Sequence, residues 1–200
     1  MRRFSFGPTL TLKGRKNKGL RGYAGKPFHP PLTDVPIVAY VFAAVFDVLS
    51  AVLYDGHREL AKEMFHAATW LFLGGGAVSL LAALTGWADW AKSSEPGTQA
   101  RRTVNAHAII MIGVTVLALA DIALRLTWCD GDTHTAVALA VLSSVIAVAV
   151  TIGATYGGTL VFDYGFNVET AGDSPVWHKS EQDVYPGKKK PADPTQATDA

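Results

Sequence analysis

Of the six histidines in this 200-residue chain, four fall inside or at the edges of long apolar stretches: His29, His66, His107 and His134. Imidazole is the commonest protein ligand for metals and an axial ligand for haem. These four are therefore the candidate ligands for a haem b. His57 and His178 lie in polar segments and read as solvated. A second set is Asp47, Asp121 and Arg125, three charges embedded in apolar sequence. Charge inside an apolar segment is costly, which makes each such residue a candidate for function. Asp121 and Arg125 are one helical turn apart and can pair. With Asp47 they can form a structural polar clamp or part of a proton or ion relay. A relay needs a continuous polar path, and the sequence offers little beyond His107 and a few hydroxyls to extend one.

The elements that position these groups are four apolar runs, at about 35–54, 64–87, 104–127 and 135–161. At 1.5 Å per residue, roughly 20 apolar residues cross a hydrocarbon core of about 30 Å. Each run meets that length as a helix, and a helix satisfies its own backbone in lipid. The sequence thus predicts an all-α, integral membrane four-helix bundle of up-down topology, because the connections are short. Flanking it are a basic extension at 1–28, expected to be partly disordered or to lie on anionic lipid, and a polar tail at 169–200. The four-helix domain is expected over 29–168. Overall, 49% of residues are apolar and 18% charged. That charge is low for a soluble domain and is concentrated outside the runs.

Lysine and arginine predict the orientation. The extension, the loop after the second run and the C-terminal tail carry fifteen of them, against Arg58 and Lys62 on the opposite side. Both termini are therefore expected on the cytoplasmic side. Tyr54, Trp87, Trp90, Trp128 and Tyr164 fall near run ends, where amphipathic rings favour the headgroup level. This orientation sorts the histidines by depth, with His29 and His107 inner and His66 and His134 outer. The arrangement allows one inner and one outer pair. His66 and His107, most of a membrane apart, cannot share one haem. Along the third run, His107, Met111, Val114, Ala118, Asp121 and Arg125 recur at steps of four and three, and so share a helical face. In the first run Tyr40, Asp47, Ser50 and Tyr54 do the same. Both stripes are expected to face the bundle interior.

Small residues cluster in the second run (Gly74, Gly75, Gly76) and in the fourth, where Gly153 and Gly157 are spaced as GxxxG. In lipid such residues let helices approach closely. They suit internal packing, a homodimer face or a groove for a flat cofactor. Other chemistry is ruled down. Cys129 is the one cysteine, so no internal disulfide forms. There is no HExxH or paired Cys/His spacing for zinc, no phosphate-binding loop and no nucleophile elbow. The basic extension lacks a folded context for nucleic-acid recognition.

Four segments then stand out in order: KPFHPPLTDVPIVAYVFAAVFDVL, LTGWADW, RRTVNAHAIIM and YGGTLVFDYGFNV. Together they resemble a bacterial membrane protein family known as domain of unknown function 2231, over about residues 25–168. The resemblance implies a four-helix fold in the bacterial inner membrane and no established reaction. It singles out His29, Asp47, Asp89, His107, Gly157, Gly158 and Gly165. The leading expectation is a non-enzymatic subunit or scaffold that meets partners of a membrane complex, or a second copy of itself, within the lipid bilayer. Two alternatives accompany it, a haem b- or quinone-linked electron-transfer component and a small transporter or proton conductor.

Overall fold

A computed structural model describes residues 19–20, 27–129 and 131–168. Most of the expected basic extension and all of the expected C-terminal tail lie outside the described residues. Four helices follow in order: α1 (His29–Leu53), α2 (Arg58–Ser93), α3 (Gln99–Thr127) and α4 (Val137–Phe162). All four are long and apolar enough to cross a membrane. The protein is an all-α, multi-pass membrane bundle, as the apolar runs predict.

α1, α2 and α3 begin before the hydrophobic stretches that announce them, whereas α4 begins two residues inside its own. α2 spans 36 residues, from the charged turn at Arg58 to Ser93. Hydropathy marks only the part of a helix that suits lipid, whereas capping decides where it stops. α1 starts at His29 because Pro30 and Pro31 follow, and a proline costs no hydrogen bond in the first turn. At the start of α3 the Thr98 hydroxyl accepts the Arg101 backbone N–H at 3.1 Å, which satisfies one orphan donor. The Arg101 side chain then closes the preceding helix. Its Nη1 donates to the carbonyls of Trp90 at 3.0 Å and Ser94 at 3.2 Å, near the negative end of α2. Its guanidinium lies 3.8 Å from the centre of the Trp90 ring. Trp90 also donates from Nε1 to Asn105. It therefore ties α2 to α3, whereas Trp87 and Trp128 are broadly exposed.

Each helix packs against two neighbours in cyclic order, α1–α2–α3–α4 and back to α1. α1 and α3 face each other across a diagonal without backbone approach, so only side chains meet at the centre. The middle of the bundle is apolar: Tyr40, Ala43, Ala68, Phe72, Val114, Ala118, Ile146 and Val150 are buried together. Tyr40 stacks on Phe72 and donates its hydroxyl to Ser79. The outside is also apolar, with Phe42, Trp70, Ile109, Val116 and Val148 exposed. A bundle apolar inside and out has lipid as its natural solvent.

The small residues sit inside this packing. A Cβ on Gly75 would lie 2.9 Å from both Ala39 Cβ and Tyr40 Cε1, and one on Gly76 would lie 2.7 Å from Ile122, whereas Gly74 has open space. The two neighbours therefore predict opposite results. Gly75→Ala forces α1 and α2 apart and is expected to destabilise the bundle by about 1–3 kcal/mol through overpacking. Gly74→Ala is expected to be neutral or slightly stabilising, since alanine favours helix. Thermal unfolding of the two variants in detergent checks the pair.

Candidate functional site

Polar side chains meet across the α1/α3 diagonal at two levels. His29 lies eighteen positions before Asp47 on α1, and His107 lies eighteen positions before Arg125 on α3. Eighteen helical residues rise roughly 27 Å, so the two levels sit near opposite ends of the bundle.

At the end where α1 begins, the rings of His29 and His107 stand with centroids 6.4 Å apart and planes at 84°. Each ring is held by a neighbouring helix. His29 Nδ1 lies 2.9 Å from the Ala82 carbonyl and 3.2 Å from the Thr85 hydroxyl on α2. His107 Nδ1 lies 2.8 Å from the Gly153 carbonyl on α4. A carbonyl only accepts, so Nδ1 carries the hydrogen in both rings, and Nε2 of each neutral ring keeps its lone pair. The same arrangement, with Nδ1–H given to a backbone carbonyl, fixes ring orientation in metal-ligating histidines.

Glycines make the room. The His29 ring rests on Gly86, where a Cβ would come within 2.8 Å of Cε1. His107 lies beside Gly157, where a Cβ would come within 3.3 Å of its Cε1. Gly153 and Gly157, the GxxxG pair, thus face His107 and Met111 on α3. Gly158 has only Phe162 nearby. Gly165 has φ +58°, a left-handed turn that suits glycine. The turn lets the Phe166 N–H reach back to the Leu160 carbonyl at 2.8 Å.

Asp89 sits one turn beyond Thr85 and Gly86 and is buried. Its carboxylate accepts from the Leu20 backbone and the Asn167 side chain, while Oδ1 lies against Gly19. It joins the segments that precede α1 and follow α4 to the end of α2. Sequence reading places Asp89 in a family motif but not its role as a fastener, which depends on contacts 69 and 78 positions away.

At the other end, Arg125 lies between two carboxylates. Nη2 donates to Asp47 Oδ2 and Nε donates to Asp121 Oδ1, both at 2.5 Å. Nη1 reaches the Thr69 hydroxyl at 3.3 Å, and Phe72 and Phe65 lie under the guanidinium. All three charged side chains have 0% exposure. Thr135 seals the cluster, its hydroxyl donating to Asp47 Oδ1 at 2.9 Å and its N–H donating to the Ser50 hydroxyl at 2.9 Å. The apolar middle layer lies between this cluster and the histidine pair.

The other two candidate histidines stay apart from each other in their contacts. His66 is exposed on the outside of α2 and packs beside Phe65. His134 stacks on Tyr54 with centroids 3.7 Å apart. His29 and His107 are brought together, and no outer counterpart is built from His66 and His134. The face of α2 that carries His66 turns outward because Phe65 takes the inward position.

The segments that resemble a known family thus carry the histidine pair, Asp47, Asp89 and the closing turn after α4, while Asp121 and Arg125 lie outside them. A family model described as a predicted membrane protein, DUF2231, matches residues 25–170. The chain belongs to the DUF2231 family. The matched region contains all four helices and every residue of both clusters. No curated protein and no solved structure matches the chain.

What the histidine pair of this DUF2231 protein can do chemically follows from its spacing. A centroid separation of 6.4 Å with planes at 84° is that of an edge-to-face ring pair, and it also equals the span of two imidazoles that share one metal ion through Nε2, with bonds of about 2 Å and ring centres about 1.2 Å behind each nitrogen. Among the described residues no three His, Cys, Asp or Glu converge. A site that needs three or four protein ligands, such as zinc, is not formed there. Haem needs only axial ligands from the protein.

Proposed function

We propose that this DUF2231 protein is an electron-transfer component of a membrane complex, holding one b-type haem between His29 and His107. The observation that carries the reading is the centroid separation of 6.4 Å across the α1/α3 diagonal, with both Nδ1 atoms tied to backbone carbonyls. His29 and His107 would hold the haem, which would supply one-electron redox chemistry. Gly86 on α2 and Gly157 on α4 flank the pair, each giving its space to the imidazole that rests on it. With both imidazoles as ligands the group would serve electron transfer rather than binding of a further ligand.

The fold reading and this one join naturally. A single haem in a small bundle needs a donor and an acceptor, so the protein acts as a subunit. A proton path across the bundle receives less support, because the layer between the clusters is apolar. With lysine and arginine concentrated beside the termini, an N-in and C-in orientation in the bacterial inner membrane would set the histidine pair toward the cytoplasmic leaflet.

The test is the visible and electron paramagnetic resonance spectrum of full-length protein produced with haem supply. A Soret band and a reduced α-band of a six-coordinate b-type haem are expected. Ring planes at 84° further predict the large-g low-spin ferric signal of near-perpendicular axial imidazoles. Parallel planes give an ordinary rhombic signal instead. A purified, folded protein without a Soret band removes the reading.

A further inference from the structure

The buried cluster at the far end has two carboxylates and one guanidinium. Arg125 distributes its donors over Asp121 Oδ1, Asp47 Oδ2 and Thr69, and Thr135 supplies Asp47 Oδ1. One oxygen is left over. Asp121 Oδ2 is buried and has no hydrogen-bond partner, on a side chain of 0% exposure. An ionised carboxylate in such a place carries a desolvation cost of several kcal/mol, and the one bond from Arg125 to Oδ1, a guanidinium shared with Asp47, repays only part of it.

Among the described residues no second cation pairs with the cluster. α4 contains no charged residue. α2 presents Phe65, Thr69 and Phe72, while Lys62 is exposed. On α1 Tyr40 lies in the apolar layer and donates to Ser79, and just past the end of α1 Tyr54 is covered by His134 and by Arg58 at 5.4 Å. The α3–α4 connection adds Asp132 and Cys129, and burial, with Asp132 beside it, pushes the Cys129 thiol up. That thiol stays neutral near pH 7 and leaves the balance unchanged.

We propose that the Asp47–Arg125–Asp121 cluster is a proton-binding site that holds one proton at neutral pH, carried at Asp121 Oδ2. The cluster is then neutral overall, one guanidinium against one carboxylate and one carboxylic acid. Toward the histidine pair it is closed by the apolar layer, and on its other side the buried Thr135 and Ser50 cover it, with Ser50 donating to the Ala61 carbonyl of α2. It is therefore a site that binds a proton without conducting one across the bundle.

Infrared spectroscopy of the full-length protein tests this, with aspartate-¹³C labelling to separate aspartic acid from any haem propionate. At pH 7 a protonated carboxyl C=O band that shifts on labelling is expected. It is lost in Asp121→Asn and equally in Asp47→Asn, because either change leaves one carboxylate for one guanidinium. Asp89 Oδ1, at the other end, is likewise buried without a partner, so the cluster variants are read in an Asp89→Asn background, in which the band is retained. No label-sensitive band in the wild type overturns the proposal, as does a band that survives in either cluster variant or disappears in Asp89→Asn. Should a cluster variant fail to fold, the labelled wild type and Asp89→Asn still decide whether a buried aspartic acid other than Asp89 exists.

Discussion

Replacing Arg125 with leucine is expected to destabilise the bundle more than any other single change at a helix contact, by about 3–5 kcal/mol, the cost of removing one partner from a buried ion pair. The reason lies in what remains. Asp47 and Asp121 would face each other at 0% exposure with no cation within the bundle to answer them. Thr69 and the faces of Phe65 and Phe72 would lose their partner as well. Arg125→Lys should recover only part of the loss, since a point-like ammonium cannot reproduce a fork that reaches both carboxylates. Asp121→Asn keeps the shape and leaves Arg125 its bond to Asp47, so it should cost less than Arg125→Leu. Thermal midpoints in one detergent order these variants. An Arg125→Leu loss no larger than that of Gly75→Ala would contradict the account of the cluster as a buried, mutually dependent set.

Replacing either histidine of the pair is expected to remove haem almost completely while leaving the bundle folded. His29→Ala deletes a hydrogen bond to the Ala82 carbonyl and His107→Ala deletes one to the Gly153 carbonyl. Both carbonyls lie inside helices and keep their backbone partners. The net structural cost is therefore of the order of 1 kcal/mol per bond. Loss of an axial ligand, by contrast, abolishes six-coordination outright. Each single variant should show no low-spin signal and strongly reduced haem content, with helical circular dichroism unchanged. His66→Ala and His134→Ala, whose side chains lie on the outside of α2 and against Tyr54, should keep the wild-type spectrum. If all four variants retain full haem content, His29 and His107 are not the ligands. If His66→Ala or His134→Ala loses haem instead, the site lies at the other end of the bundle.

These two expectations draw on information of different visibility. The Asp47–Arg125–Asp121 cluster was legible as a possibility from spacing, because a helix of fixed period places residues three and four apart on one face. Asp121 and Arg125 share a face by that rule alone. That Arg125 crosses the diagonal to Asp47, and that one carboxylate oxygen is left without a partner, depends on how four helices are arranged around a common centre. The histidines show the same division. Depth along each helix groups His29 with His107 and His66 with His134, since depth is simply residue number times rise. Which of the two groups converges is a matter of rotation about the helix axes. Phe65 takes the inward position at the start of α2, which turns His66 outward.

Helix ends show why a hydropathy reading stops short. The runs at 64–87 and 104–127 stop where polar residues begin, yet α2 continues to Ser93 and α3 begins at Gln99. Backbone hydrogen bonding continues until Thr98, Ser94 and Arg101 supply alternative partners.

By itself the sequence determined the solvent, the number of helices and the positions of the charged and imidazole side chains along them. These follow from composition and a fixed helical period. Tertiary structure alone decided that α1 and α3 oppose each other across a diagonal, that Gly86 and Gly157 open space for two rings, and that Asp89 fastens the chain at positions 20 and 167. Such contacts join residues far apart in the chain, and no local period encodes the rotation and order of packed helices.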